Sequence, residues 1–410
     1  MCPIFRLHPV EEASPRAKAN LMRNVLNGGI DLENLSNDEL RSIADLCVNC
    51  HQCRVECPAG VDIPKIVCET KAQYVATTGL KFSQWIFSRL DFVYRWGSRF
   101  PTLTNWALRN NVFRWALDKF LGIAQGRKLP RFNNRTLLNW AVRRQPSKTV
   151  RGDGRKVVYF VDAFANWNDS EIGRAVVHVL EHNGVEVYVP PRQKISGMSL
   201  ISDGLVGRAR VIAKQNVELL ADAVRQGYQV VTSEPSANLA LTHEYLNLMD
   251  EVDARLVADN CMDVHAYLWK LHQQGQLELD FRPVNTTVGY HTPCHTKAVH
   301  REIPAMKLLG LIPGLTLHSI GKGCSGMAGT YGLKRVNYRR SLRAGIGLIN
   351  ALRAPDLVLG VTECSTCKMQ MEHGTSKPTV HPIKLLAMAY DLMPDLANLF
   401  HRKSGEKTLS

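Results

Sequence analysis

The strongest constraint in this 410-residue chain is a run of four cysteines near its N-terminus. The run reads CVNCHQCRVECP, with Cys47, Cys50, Cys53 and Cys57 at C-x2-C-x2-C-x3-C spacing followed by Pro58. Spacings of two residues let one tight turn direct three thiolates toward a common centre, and soft thiolates suit iron–sulfur chemistry. Structural zinc sites favour two separated cysteine pairs, so zinc or free core thiols fit this run less well. We therefore predict that the run holds a [4Fe–4S] cluster.

A second Cys-Pro pair, Cys2-Pro3, has the form of the last position of a similar run. In two-cluster ferredoxins the fourth cysteine of such a run binds the other cluster. By this rule Cys47, Cys50, Cys53 and Cys2 hold one cluster, and Cys57 serves a second cluster whose other ligands precede residue 1. The alternative is that Cys57 completes the only cluster here and Cys2 is spare. We adopt the first interpretation, which implies that the chain is a truncated form of a longer protein.

Four more cysteines form a second set in the C-terminal part of the chain. They occur as HTPC (Cys294), GCSGMAGTYG (Cys324) and ECSTC (Cys364 and Cys367), each just after a strand-like segment. Because ligand sites of α/β folds lie at the carboxyl ends of parallel strands, the four thiols are expected to converge. C-x-x-C alone is a weak signal, so a redox disulfide or a zinc site stays open. The set of four favours a second [4Fe–4S] cluster.

The C-terminal part of the chain resembles the segment that precedes it. ISGM at 195–198 matches CSGM at 324–327, and EPSAN at 234–238 matches ECSTC at 363–367, both at an offset of 129 residues. VVYFVDA and VGYHTPC match at an offset of 131. The four cysteines of the second copy correspond in the first copy to Ala163, Ile195, Pro235 and Asn238. We therefore predict an internal duplication in which the first copy is structural and the second carries the chemistry.

The predicted fold class is α+β, with an N-terminal α-helical ferredoxin-like domain followed by a duplicated α/β cysteine-rich domain built from parallel-sheet units. From Lys156 the sequence alternates β-branched runs with helical segments, and this alternation returns from about Thr286. The predicted units are a helical [4Fe–4S] domain at 1–80, a basic aromatic helical connector at 81–150, the first cysteine-rich repeat at 151–275, the second at 276–395 and a polar tail at 396–410.

The formal net charge of +14 is concentrated in the connector. From Lys81 to Arg151 there are fifteen Lys or Arg residues against Asp91 and Asp118, which gives +13. Five of the seven tryptophans lie there, and the apolar residues follow helical spacing with a break at Pro101. A helical linker with a solvated basic face fits this pattern as well as docking on an anionic membrane or an acidic partner. Nucleic acid is not an expected partner.

Motifs for catalysis and for nucleotide binding are missing from the sequence. No G-x-G-x-x-G opens a helix after a strand, no G-x-x-x-x-G-K-[ST] occurs, and no Ser–His–Asp arrangement is evident. We therefore predict no catalytic residues and no flavin on this chain, so a partner must hold the flavin. The chain has no run of about 20 apolar residues and no apolar signal segment. The predicted location is cytoplasmic, with peripheral contact at the inner face of the membrane.

Taken together, these motifs resemble the cysteine-rich (CCG-type) iron–sulfur subunits of flavin-linked dehydrogenases. This family includes the C subunit of anaerobic glycerol-3-phosphate dehydrogenase, the iron–sulfur subunit of glycolate oxidase, and the C-terminal module of FAD-linked D-lactate or D-2-hydroxyglutarate dehydrogenase fusions. The resemblance rests on CVNCHQCRVECP, GCSGMAGTYGLK, TECSTCKMQME and HPIKLLAMAY. Family members often carry Cys-Cys-Gly where this chain has Cys324-Ser325-Gly326, which favours one ordinary four-thiolate cluster at the C-terminal set.

The resemblance implies an electron-transfer subunit rather than a complete enzyme. It would take electrons from an FAD-containing dehydrogenase subunit, or from an upstream flavin domain, and pass them to a quinone or another membrane acceptor. Glycerol 3-phosphate, glycolate, D-lactate and 2-hydroxyglutarate all stay open as the oxidised substrate. The alternative is a heterodisulfide or thiol-disulfide reductase that acts at the C-terminal cysteines, and Ser325 counts against it.

Overall fold

Helices fill the N-terminal third of the computed structural model, and two parallel sheets with their covering helices fill the rest. The structure describes residues 2–30, 38–80, 82–144 and 154–399. The mixed helical and parallel-sheet architecture expected from the sequence is confirmed. The predicted polar tail lies mostly outside the described residues.

The N-terminal helices pack around a small apolar core formed by Ala44, Ile63 and Val67, against which Cys47 and Cys53 also lie. The longest of these helices begins after Asp62, whose carboxylate accepts a hydrogen bond from the backbone N–H of Lys65, as expected of an N-cap. In chain order the helices are α1 (Pro3–Leu7), α2 (Pro15–Leu26), α3 (Asp38–Ala44), α4 (Gln52–Glu56) and α5 (Ile63–Thr78), with a 3-10 turn at Glu11–Ala13.

The connector is a series of short helices. Pro101 begins a new helix at the predicted break, Asn110 caps the next helix through its side-chain oxygen, and Gly122 ends that helix in the left-handed conformation. Among the described residues, no helix has the length and apolar character needed to cross a membrane. The connector helices are α6 (Phe82–Phe87), α7 (Leu90–Arg99), α8 (Pro101–Arg109), α9 (Asn111–Leu121) and α10 (Leu137–Arg143).

The first sheet is fully parallel, with strand order β2-β1-β3-β4. Its strands are β1 (Lys156–Phe160), β2 (Glu186–Tyr188), β3 (Gln229–Thr232) and β4 (Cys261–Asp263). A π-helical turn at Ala240–Glu244 interrupts the helices that follow β3. The helices of this half are α11 (Ala163–Trp167), α12 (Ser170–His182), α13 (Met198–Ser202), α14 (Val206–Arg225), α15 (Pro235–Leu239), α16 (Tyr245–Leu248), α17 (Val252–Asp259) and α18 (Val264–Gln273).

The second sheet is also parallel, and its order, β6-β5-β7-β8, repeats the order of the first. Its strands are β5 (Thr286–Tyr290), β6 (Leu315–Ser319), β7 (Leu359–Val361) and β8 (Thr379–Val380). The helices of this half are α19 (Cys294–Val299), α20 (Pro304–Leu309), α21 (Tyr338–Leu352), α22 (Ser365–Gly374) and α23 (Pro382–Ala389). Short 3-10 turns lie at Tyr331–Leu333, Arg335–Asn337 and Pro394–Leu399.

One apolar core joins the two sheets. Alternate residues of β1 point to opposite faces, so that Val157 and Tyr159 enter the shared core and Val158 and Phe160 enter a second core beneath α14. The shared core also contains Tyr290 of β5, together with side chains of α12 and α23, which pack on each other. Burial of these apolar surfaces holds the two halves together as one body.

A buried ion cluster reinforces the contact between the halves. Asp169, at the start of α12, lies 2.6 Å from the ammonium of Lys384 and 3.0 Å from that of Lys368. Burial alone would raise the pKa of Asp169, but the two lysines outweigh it and hold the pKa below its ordinary value. Because the carboxylate and the lysines come from different halves, this cluster fixes their relative position.

Candidate iron–sulfur centres

The backbone around Cys50 explains how the N-terminal run brings its thiols together. Asn49 and His51, on either side of Cys50, have positive φ angles of 51° and 58°. Residues other than glycine seldom adopt this left-handed conformation, so two of them so close together mark a tightly specified loop. The loop connects α3 to α4 and carries Cys47 and the buried Cys50, and Cys53 follows in the first turn of α4.

Cys2 joins this group from the beginning of the chain, where it precedes α1. Burial raises the pKa of Cys53 to about 12, and the thiols of Cys47 and Cys2 contribute to this rise. Burial also raises the pKa of Cys47, and Cys2 adds to this effect. These effects on Cys47 and Cys53 place the thiol of Cys2 near both of them. Cys57, at the end of α4, is not among these partners.

A buried lysine lies beside the N-terminal thiols. The ammonium of Lys18 donates hydrogen bonds of 3.0 Å to the carbonyl oxygens of Glu12 and Ala13, and it lies near the thiols of Cys47, Cys2 and Cys53. A cluster held by four thiolates is an anion, and burying an anion is favourable only beside compensating charge. Lys18 supplies such a charge, so this environment fits a thiolate-bound cluster.

The C-terminal cysteines are positioned by the ends of three parallel strands. Cys294 follows β5 and begins α19, Cys324 lies in the loop after β6, and Cys364 follows β7 immediately before α22, which contains Cys367. The carboxyl ends of β5, β6 and β7 lie at the same edge of the sheet. These strand ends place the four cysteines at the same edge of the sheet.

Polar groups surround the C-terminal thiols. The backbone N–H of Gly326 donates to Sγ of Cys324 at 3.2 Å, and the hydroxyl of Ser325 donates to Sγ of Cys367 at 3.2 Å. The hydroxyl of Thr366 lies 3.2 Å from Sγ of Cys364. Hydrogen bonds to cluster sulfurs are one of the means by which proteins tune iron–sulfur centres.

The electrostatics of this set require a cation if the thiols are to ionise together. Burial raises the pKa of Cys294 well above its ordinary value, and Cys324 and Cys364 raise it further. Burial likewise raises the pKa of Cys324. Cys367 shares a hydrogen bond with Cys364, which lowers the pKa of Cys364 and raises that of Cys367. Burial and neighbouring thiols oppose the ionisation of Cys294, Cys324 and Cys367, which fits a site in which iron supplies the missing positive charge.

Cys50 lies between the two sets of cysteines. Burial raises its pKa, and the neighbours that raise it further are Cys294 first, then Cys47 and Cys324. Cys50, Cys294 and Cys324 line one cavity, and Gln52 lines it with them. The N-terminal and C-terminal centres are therefore adjacent.

Direct hydrogen bonds hold this junction. The side-chain amide of Gln52 donates to the carbonyl oxygen of Cys294 at 2.9 Å, and Nε2 of His295 lies 2.8 Å from the carbonyl oxygen of Asn49. Burial lowers the pKa of His295 to about 4, so its ring is neutral near pH 7 and can donate this hydrogen bond.

Comparisons with known proteins match both sets of cysteines. Residues 1–62 match the sequence model of a 4Fe-4S dicluster domain, and residues 288–372 match that of a cysteine-rich domain. The C subunit of anaerobic glycerol-3-phosphate dehydrogenase from Escherichia coli K12 is 32% identical over 333 residues, which cover 81% of this chain and 83% of that protein. The chain belongs to the family of this glycerol-3-phosphate dehydrogenase C subunit.

More distant relatives include another iron-sulfur subunit and a dehydrogenase. The probable glycolate oxidase iron-sulfur subunit of Bacillus subtilis is 23% identical, with 99% of this chain and 92% of that protein covered. D-2-hydroxyglutarate dehydrogenase of Escherichia coli K12 is 20% identical over 83% of this chain, but the match covers only 37% of that protein. The predicted resemblance is confirmed, and so is [4Fe–4S] as the cofactor type.

Within this member of the C-subunit family, the nine predicted ligands fall into three groups. Four thiols gather near the N-terminal run and four near the carboxyl ends of β5, β6 and β7, while Cys57 follows α4. The N-terminal centre contains Cys2, Cys47, Cys50 and Cys53, and the C-terminal centre contains Cys294, Cys324, Cys364 and Cys367.

Several residues around the centres were missed in the sequence. Gln52 and Asn49 lie within the cysteine run, but nothing in the run indicates that they contact the second centre. Lys18 lies in sequence well away from both Cys2 and the cysteine run, and only the folding of α2 brings it to the site. Thr366, within the C-x-x-C segment, could have been suspected from its position alone.

Proposed function

We propose that this chain is the electron-transfer subunit of a flavin-linked dehydrogenase, taking electrons from a flavin on a partner subunit and delivering them to a quinone. The observation that carries this proposal is the position of Cys50 between the two sets of cysteines. A bound [4Fe–4S] cluster supplies one-electron transfer without a proton or a hydride. Two adjacent centres suit a relay.

The proposed ligands of the N-terminal cluster are Cys2, Cys47, Cys50 and Cys53. The contribution of the Cys2 thiol to the raised pKa values of Cys47 and Cys53 supports this set over the alternative in which Cys57 completes the cluster. The matched domain is a dicluster domain, so Cys57 is the candidate ligand of its other cluster. The proposed ligands of the C-terminal cluster are Cys294, Cys324, Cys364 and Cys367.

The α/β part of the chain is proposed to be a duplication with one active copy. The shared strand order of the two sheets supports this proposal. So do Gly197 and Gly326, which occupy the same position of the matched ISGM and CSGM segments and both have positive φ angles. On this basis the proposed units are 1–80, 81–150, 151–275, 276–395 and 396–410. The first copy then serves as the platform on which the N-terminal domain rests.

The connector supports a proposal of membrane contact. Of the twenty-three exposed large apolar side chains in the described residues, eleven lie within the stretch from α6 to α9. Trp106 is 62% exposed, Val112 75% and Phe120 69%. An exposed aromatic surface on a segment of high positive charge fits the interface of an anionic bilayer, where a quinone is also found. We propose that this surface rests peripherally on the inner face of the membrane.

Replacing two exposed aromatic side chains should weaken the binding of the protein to lipid vesicles without unfolding it. We expect Trp106→Ser combined with Phe120→Ser to weaken binding to vesicles of phosphatidylcholine with about 30% phosphatidylglycerol by at least about tenfold, because both side chains lose apolar contact with the bilayer. Sedimentation with vesicles measures the effect. Val252→Ser removes an 83% exposed apolar side chain outside the connector and should bind like the wild type. Equal binding by the double variant would contradict membrane docking through α6–α9.

Iron analysis tests the two proposed centres. Anaerobically purified protein should contain roughly eight iron atoms and eight acid-labile sulfides per chain, and EPR after dithionite reduction should show cubane signals. Cys364→Ser should lower the iron content to roughly four atoms per chain, since one cubane is lost. Wild-type protein with only one cluster's iron, or with none, would contradict the relay.

The assignment to a dehydrogenase is tested in membranes of the source organism. Quinone reduction should be compared between cells with and without this chain, using glycerol 3-phosphate, glycolate, D-lactate and 2-hydroxyglutarate in turn. Quinone reduction with one of these substrates should be lost in the deletion strain, while the flavoprotein that oxidises this substrate still reduces a soluble dye. Loss of a disulfide-reducing activity instead would support the reductase alternative.

A further inference from the structure

A cluster of histidines and carboxylates lies next to the N-terminal cysteine run. His51 belongs to that run, Asp62 precedes α5, and His243 and Glu244 end the π-helical turn of the first α/β half. Ligand-type atoms of His51, Asp62 and His243 all lie within 4.8 Å of one another. Nε2 of His51 lies 2.6 Å from Oε1 of Glu244, and Nε2 of His243 lies 2.9 Å from Oδ2 of Asp62.

One buried polar atom of this cluster has no partner in the described part of the chain. The side chain of His51 is completely buried, its Nε2 is paired with the carboxylate of Glu244, and its Nδ1 makes no hydrogen bond to the described residues. Buried polar atoms without partners are rare in folded proteins and require an explanation, which a bound ion can provide.

We propose that His51, Asp62 and His243 form a binding site for a divalent transition-metal ion of the Zn²⁺ type. Two imidazoles and one carboxylate are ligands that Zn²⁺ accepts, with a water molecule in the fourth position. The side chains of Asp62 and His243 are 20% and 25% exposed, so an ion can enter from solvent. Thiols are not part of the set, which separates this site from the iron–sulfur centres.

The surroundings support this ligand set. His295, the other histidine beside His51, is already engaged with the carbonyl of Asn49 and the hydroxyl of Ser236 and is therefore not a ligand. His243 belongs to the π-helical turn Ala240–Glu244, and π-helical turns inside α-helices are frequent at functional sites. The metal would join the cysteine loop to the first α/β half, beside Cys50.

Cobalt binding tests the proposal on the full chain with its iron–sulfur content intact. We expect wild-type protein to take up one Co²⁺ with visible d–d bands and no thiolate-to-cobalt charge-transfer band, and Zn²⁺ to displace it. His243→Gln and Asp62→Asn should each weaken Co²⁺ binding at least about tenfold. Asparagine at position 62 can still accept the hydrogen bond from the Lys65 N–H, so α5 keeps its cap.

The matched control is His182→Gln. His182 lies 3.0 Å from Asp280 in a histidine–carboxylate pair far along the chain from the cysteine loop, and its loss should leave Co²⁺ binding unchanged. Iron content and the thermal midpoint without added metal should be the same in all variants, which shows that each one folds. The proposal is overturned if the wild type binds no Co²⁺, if the spectrum shows a thiolate band, or if His243→Gln binds Co²⁺ like the wild type.

Discussion

The Cys50→Ser variant is expected to lose the iron of the N-terminal centre and all substrate-dependent quinone reduction. Cys50 is buried, and its thiol is the one that faces Cys47 on one side and Cys294 and Cys324 on the other. A serine hydroxyl is a poor ligand for the iron of a thiolate-bound cluster. Iron per chain should fall from roughly eight to roughly four, and the partner flavin should still be reduced by its substrate.

Cys68→Ser is the control, because Cys68 lies in α5 and belongs to neither proposed ligand set. Its thiol donates a hydrogen bond to the carbonyl oxygen of Ile201, which a serine hydroxyl can also donate, so we expect this variant to keep the iron content and quinone reduction of the wild type. Cys2→Ser, in contrast, should behave like Cys50→Ser. If Cys57→Ser lost iron and Cys2→Ser kept it, the proposed crossing of ligands would be wrong. Loss of flavin reduction in Cys50→Ser would indicate failed assembly instead.

The cysteine sets could be predicted from the sequence because the patterns that indicate them lie in short stretches of the chain. The spacing from Cys47 to Cys53 is a property of one turn, and the parallel strands before Cys294 and Cys364 are recognisable from their β-branched residues. The family resemblance and the cofactor type followed from these motifs and were confirmed. Strand and helix order in the α/β part could also be predicted, since each element carries its own hydrophobic pattern.

The arrangement of these parts could not be predicted, because it depends on contacts between distant segments. The contact of Gln52 with Cys294 joins residues 242 positions apart, and no sequence pattern in either segment predicts it. The same holds for His51, which looks like a spacer between two cysteines but lies against Glu244. The position of Lys18 beside three thiols is a further example. Such contacts are set by the packing of whole helices.

The Gly326→Ala variant is expected to disrupt the C-terminal centre. Gly326 has a φ angle of +83°, and a Cβ at this position would lie 2.1 Å from the backbone oxygen of Ser341 and 2.8 Å from Cβ of Ala344. The added methyl group meets the backbone of α21, which cannot move aside as a flexible side chain could. The loop must shift, and the N–H of Gly326 then leaves the sulfur of Cys324. We expect a loss of about 3 kcal/mol or more in the free energy of unfolding.

A variant at a neighbouring glycine measures the cost of the positive φ angle without the steric clash. Gly329 also has a positive φ angle, +60°, but a Cβ there would meet no atom within 4 Å. Gly329→Ala should therefore cost only about 1 kcal/mol, the usual penalty for a left-handed alanine, and keep the full iron content of the wild type. Anaerobic guanidinium unfolding and iron analysis of both variants measure the difference. Equal losses in the two variants would show that the backbone contact between this loop and α21 does not hold Cys324 in place.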